Sequence, residues 1–236
     1  MSASLRDAQS FHTTRWTRVC LAKETSEDGR RALADLCATY YEPVVVFLRC
    51  ELRDADAARE LSHAFFEQVL AGGRIQAADQ SRGRFRSYLL GAVKHFVAHE
   101  RQSLARQKRG GGLEVATLEE AGTIPDSGLS PDQAFERQWA LTVLAMAMES
   151  LERECATAGR MEFFRAVKPL LTGEADHGGQ AAVAEACGMN LAALRMAVHR
   201  LRRRLRDLVK TEIAGTLDDP GLVQEEMEAL FAALGG

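Results

Sequence analysis

The sequence holds no cysteine pair at a metal-binding or redox spacing: Cys20, Cys37, Cys50, Cys155 and Cys187 lie far apart, with no CxxC among them. That scatter argues against a zinc ribbon or a disulfide framework, suits a reducing compartment, and leaves the thiols as small core residues. No stretch approaches the roughly 20 apolar residues of a membrane span. Met1 is followed by SASLRDAQS, which lacks the apolar run of a signal peptide, so the expectation is a cytoplasmic chain with no membrane insertion. A glycine-rich phosphate loop, a nucleophile motif and a metal-ligand set are also missing. His95 and His99 are one helical turn apart, but no third ligand accompanies them and HxxxHE is not the zincin order. Without a convergent polar constellation the expectation is a non-enzyme that uses no cofactor and no metal.

What is present is sorted by charge. A hydrophobic content of 46% over 236 residues is enough to build the core of one large domain or two small ones. The net charge of −3 conceals a basic run, Arg195, Arg200, Arg202, Arg203, Arg204, Arg206 and Lys210, opposed only by Asp207 and Glu212. After it come Asp218, Asp219, Glu225, Glu226 and Glu228 with no Lys or Arg between them.

The basic run belongs to AAVAEACGMNLAALRMAVHRLRRRLRDLVK, from Ala181 to Lys210, which reads as two helices and a turn. Val183, Ala184 and Cys187 give the first helix a small apolar face, Gly188 permits the turn, and Asn190 caps the second helix. Leu191, Leu194, Val198, Leu201, Leu205 and Leu208 then recur at steps of three and four, one buried stripe at helical period. In a helix-turn-helix the start of the second helix meets base edges and flanking cations hold phosphates. With Asn190 at the cap, Ala192, Arg195, Met196 and His199 are the candidate base readers, and Arg200, Arg203 and Arg202 the candidate phosphate clamps. A basic helix that is merely well solvated, or that binds an acidic protein, gives the same pattern.

Earlier in the chain, FHTTRWTRVCLA suggests a short capped helix. Residues 30–52 carry an almost all-round apolar pattern, with Pro43 as a possible break. DADAARELSHAFFEQVL, Asp54 to Leu70, has an apolar stripe of Ala58, Leu61, Phe65, Phe66 and Val69, and a polar face with Arg59, Glu60, His63 and Glu67. A glycine-, serine- and aspartate-rich loop follows. From Ser87 to Gln107 a helix sets Tyr88, Leu89, Val93, Phe96 and Val97 among Arg86, Lys94, His95, Arg101 and Arg106. Rings among cations suit single-stranded nucleic acid, by stacking and by holding the backbone. The same rings fit a core, and both readings stay open.

KRGGGLEVATLEEAGTIPDSGLSPDQ reads as a linker. Ser130, Pro131 and Gln133 form a cap, a first-turn proline and a capping-box partner ahead of Phe135, Trp139 and Leu151. A helix over Met161 to Leu171 precedes the helix-turn-helix, and Asp219–Pro220 starts an acidic amphipathic tail. The tail either packs on the second domain, the favoured expectation, or lies on a basic DNA-binding surface.

Taken together these segments resemble an extracytoplasmic-function (ECF) type sigma factor of bacterial RNA polymerase, over about residues 30–110 and 135–212. LADLCATYYEPVVVFLR looks like the opening helix of sigma region two. DADAARELSHAFFEQVL looks like the polymerase-binding segment of the form DAEDLxQxxF. GRFRSYLLGAVKHFVAHERQSLARQKRGGG looks like the part that melts and reads the minus-ten element, and AVAEACGMNLAALRMAVHRLRRRLRDL looks like region four, the reader of the minus-thirty-five element. The resemblance implies an all-α fold of two helical domains: an N-terminal extension 1–29, a region two-like domain 30–107, a linker 108–130, a region four-like domain 131–214 and an acidic helix 215–236. It implies polymerase contacts at Asp56, Glu60, Leu61, His63 and Phe66, and DNA contacts at Lys94, His95 and Arg101 besides those of the basic helix. The partners it implies are core RNA polymerase, promoter DNA and, as a further class, an anti-sigma factor or other regulator. The competing expectation is a free-standing helix-turn-helix regulator that binds operator DNA as a dimer.

Overall fold

The computed structural model describes residues 22–24, 26–71, 84–110, 128–172, 179–214, 217 and 220–235. The expected FHTTRW helix, most of the loop after Leu70, most of the linker, residues 173–178 of the TGEADHGG stretch and Asp219 lie outside them. Within the described residues every regular element is helical, and the all-α class holds. The helices are α1 (Glu27–Leu52), α2 (Ala55–Leu70), α3 (Phe85–Gly110), α4 (Pro131–Thr157), α5 (Met161–Thr172), α6 (Gly179–Ala186), α7 (Leu191–Ala214) and, after a 3-10 turn at Pro220–Leu222, α8 (Val223–Gly235).

The helix ends follow from the chemistry of the capping residues. Ser26 accepts the Gly29 N–H at 3.0 Å, with Glu27 and Asp28 in the first turn of α1. Asp54 accepts the N–H groups of Asp56 and Ala57 at 2.9 and 3.0 Å. The capping box of α4 is reciprocal: the Gln133 N–H donates to Ser130 Oγ at 3.2 Å, and the Ser130 N–H to Gln133 Oε1 at 2.9 Å. Pro43 does not break α1, which runs through it although its ring removes one backbone donor.

The chain forms two compact units, 1–142 together with 214–236, and 143–213. The division therefore falls inside α4 and not in the glycine-rich 108–130 segment: Pro131–Thr142 belong to the first unit and Val143–Thr157 to the second. In the first unit α1, α2 and α3 share an aromatic core. Tyr40 meets Phe85 edge-on at 5.3 Å between centroids, and Phe65 meets Phe96 at 5.6 Å. Val44, Leu48 and Val93 are fully buried beside them in sequence. Cys37 is half-buried on α1, and burial pushes its thiol up to about 11, so it stays protonated and inert at neutral pH.

The acidic tail does not pack as favoured above, since residues 214–236 group with the first unit. Met227 and Leu230 are buried and so is Glu226, at 1% exposure, one turn before Leu230 on the same side of α8. A carboxylate there needs a cation, and finds two. Arg84 Nε lies 2.8 Å from Glu226 Oε1, and Arg86 Nη2 lies 3.0 Å from Glu226 Oε2. Arg86, expected on the exposed basic face of α3, is itself only 6% exposed, because its guanidinium lies 4.2 Å from the centre of the buried Trp139 ring. Its Nη1 also approaches Glu136 Oε2 at 3.1 Å. These groups are close as charges but poorly aligned as hydrogen bonds, which leaves Arg86 Nε and Nη1 and Glu226 Oε2 without a hydrogen-bond partner among the described residues.

In the second unit the buried positions of α7 are Leu194, Ala197, Val198, Leu201, Leu208, Val209 and Ile213, close to the expected stripe, with Leu191 and Leu205 half-buried at its margin. The α6–α7 turn is a Schellman motif: the Met189 N–H reaches Ala184 O at 2.9 Å and the Gly188 N–H reaches Glu185 O at 2.9 Å. Gly188 takes φ +62° there, and Gly159 closes α4 in the same way at φ +67°.

Two stability outcomes follow. Replacing Glu226 by Ala strands a buried guanidinium and should cost roughly 3–5 kcal/mol in urea unfolding, whereas Glu225→Ala, at an exposed pair, should cost under ~1. Gly188→Ala meets no atom within 4 Å, so its cost is the left-handed backbone alone, about 1–2 kcal/mol, with Gly188→Asn costing less.

Candidate nucleic-acid interface

Helices α6 and α7 cross at 96° through a four-residue turn, the geometry of a helix-turn-helix. Asn190 spends its side chain on the cap: Oδ1 accepts the Ala193 N–H at 2.8 Å. It caps α7 as expected and positions that helix, and the resemblance also counts it among the DNA contacts. Ala192, Arg195, Met196, His199, Arg200 and Arg203 are all exposed, and steps of three and four bring them onto one strip of α7 opposite the buried stripe. Met196, at 58% exposure, is among the most exposed large apolar side chains described. Arg195 is held at the base of the strip by Gln180 of α6, with Nε 3.2 Å from Oε1.

The arginines of α7 divide by their partners. Arg202 turns back onto α5, where its Nη2 donates to Leu170 O at 2.6 Å and satisfies a carbonyl in the last turn of that helix. Arg204 makes a bidentate pair with Glu154 of α4, 2.9 Å from Nε and 2.5 Å from Nη2. Arg202 was a candidate phosphate clamp; its guanidinium is occupied inside the unit. Arg200, Arg203, Arg206 and Lys210 remain on the exposed surface. Beside the strip, Leu170, Gln180, Leu194, Arg195, Val198 and His199 line an open hollow of about 260 Å³.

The first unit treats its expected site residues differently. Lys94 pairs with Asp132 at 2.6 Å and Arg101 with Glu51 at 2.9 Å, while His95 is exposed. Phe96 is 1% exposed and lies in the aromatic core, which removes it as a base-stacking ring; Tyr88 is half-exposed next to Phe85. On α2, Asp56 and Glu60 are exposed, Leu61 is half-buried, and His63 shares a 2.9 Å hydrogen bond with the Tyr41 hydroxyl. Phe66 is 7% exposed, in ring contact with Phe65 and Tyr41. It anchors α2 to α1.

Periodicity alone missed the Arg86–Glu226–Trp139 cluster, although each partner carries a signal. Arg86 lies three residues before buried Leu89 and seven before buried Val93, so it is in phase with the core. Glu226 is in phase with Leu230 in the same way. Among the described residues no group of three or more His, Cys, Asp or Glu is placed to hold a metal ion. No single described helix is long and apolar enough to cross a membrane. Comparison with protein-family models, with curated proteins and with solved structures finds no match in any of the three.

The hydrogen bonds from Arg204 hold the Glu154 carboxyl below its usual range. A depressed carboxyl contributes stability above its unfolded value and loses it as pH falls through the folded one. Both side chains are about half-exposed, so screening keeps the contribution small. The stability difference between the protein and its Arg204→Ala variant should be small and positive at pH 7, and should vanish on acidification below pH ~4 in paired thermal melts.

Proposed function

We propose that the chain is a transcription-initiation factor of the ECF sigma type, which binds core RNA polymerase and brings it to promoter DNA. The observation that carries this reading is the exposed strip of α7, with Arg195, Met196, His199, Arg200 and Arg203 in one row on the second helix of a helix-turn-helix. An α-helix fits the major groove of duplex DNA, and a row of cations on the same helix gives the phosphate attraction that holds it there. The strip is on this reading the minus-thirty-five reader, with Arg200 and Arg203 on phosphates. In the first unit the polar side of α2, with Asp56, Glu60 and His63, is the polymerase contact. Helix α3, with Lys94, His95 and Arg101, faces the minus-ten strand. The chain contributes binding and strand separation; it makes and breaks no bond.

Purified protein mixed with bacterial core RNA polymerase should co-purify with it and direct run-off transcripts from a subset of genomic fragments. Arg203→Ala should lower that transcription severalfold and reduce the salt slope of promoter binding by about one counterion, without altering the thermal melt. Tight, specific DNA binding by the protein alone as a dimer, with no association with polymerase, would instead make it an operator-binding regulator.

A further inference from the structure

The cations at the start and middle of α3 are neutralised by two later segments of the chain. Arg84 lies 2.8 Å from Glu226 and 3.4 Å from Glu225. Arg86 lies 3.0 Å from Glu226 and 3.1 Å from Glu136, and Lys94 lies 2.6 Å from Asp132. Asp132 and Glu136 come from the first turns of α4, and Glu225 and Glu226 from the first turn of α8. Four carboxylates from two helices thus meet three cations, Arg84 just ahead of α3 and Arg86 and Lys94 within it. α8 carries no Lys or Arg of its own, so nothing on it offsets this charge.

The arrangement holds more acid than these bases need. Burial raises the Glu136 carboxyl above its usual range; Arg86 partly offsets this, and the neighbouring Glu226 adds to it. Arg86 also keeps two nitrogens without a hydrogen bond among the described residues. A set optimised only for stability would align those groups, since misaligned buried ions contribute little. Carboxylates on arginine and lysine occupy the donors that phosphodiester oxygens would take, each group spreading one negative charge over two oxygens.

We propose that α8 and the first turns of α4 form an acidic cover over α3, a built-in competitor for the DNA backbone that blocks this nucleic-acid surface until the cover is displaced. The proposal rests on the reading that α3 works on DNA. In the free protein the exposed strip of α7 stays open while α3 is masked. Engagement of α3 then requires Asp132 to leave Lys94, and Glu225 and Glu226 to leave Arg84.

Asp132 and Glu225 are half-exposed or more, at 50% and 65% for their side chains, so neutralising them spares the core. The test is the full-length Asp132→Asn/Glu225→Gln protein against a control, Glu27→Gln/Glu42→Gln, which makes the same change in net charge on the exposed surface of α1. Binding of a fluorescent single-stranded oligodeoxynucleotide is read by anisotropy, and folding by circular dichroism. The cover variant should bind about five- to tenfold more tightly than the control at ~50 mM salt, with the gap closing near ~300 mM. Adding Arg84→Ala and Lys94→Ala to the cover variant should return it to the control. Equal affinity of cover variant and control, or a gain that survives loss of Arg84 and Lys94, would overturn the proposal. Core polymerase association and run-off transcription, measured on the unaltered protein, decide the sigma reading separately: transcripts without a gain in the cover variant sink the cover alone, and a gain without polymerase association sinks the sigma reading alone.

Discussion

The first unit is built around an ion pair that has little water. Arg86 and Glu226 are both almost fully enclosed, and each would carry a desolvation penalty of several kcal/mol alone. Their attraction, shared with Arg84 and Glu136 and with the face of Trp139, offsets that penalty in one arrangement of α3, α4 and α8. An apolar contact tolerates a slide along a helix; an ion pair in low dielectric does not. Shifting α8 by one turn would bury Glu226 against nothing positive, so the pair fixes the register of the last helix more sharply than Met227 and Leu230 could.

In the second unit one residue type does two jobs, separated by the partners within reach. Arg202 and Arg204 flank the buried stripe on its two margins and reach back to α5 and α4, holding α7 in place, whereas Arg200 and Arg203 stay on the exposed surface. The first pair fixes the direction of the second. A helix secured to its neighbours at both margins of its buried stripe can offer charge on its exposed face without swinging, which is what rigid presentation of a binding strip requires.

Much of the helical order was legible because capping and periodicity are local. Ser130, Pro131 and Gln133 announce the start of α4, Asn190 and Gly188 bracket the turn, and the stripe from Leu194 to Leu208 states which side of α7 is inside. Local rules stop where partners are distant in sequence. Arg86 looks like one more exposed cation until Glu226, far along the chain, is seen to meet it. Phe66 could serve a partner or a core on spacing alone, and contact with Tyr41 decides for the core. Glycines mark where a chain can bend, while the division into compact units follows which groups find each other, and it runs through the middle of a regular helix.

The first unit takes in residues up to Thr142 and then again from Ala214, so the second unit is an insertion within it. On a ribosome the chain emerges from its start, and 143–213 is a continuous stretch, whereas the first unit is assembled from two stretches separated by it. The earlier unit has to wait for Glu226 and Leu230. During synthesis the domain begun first is finished last, and until then Arg86 lacks the carboxylate of Glu226.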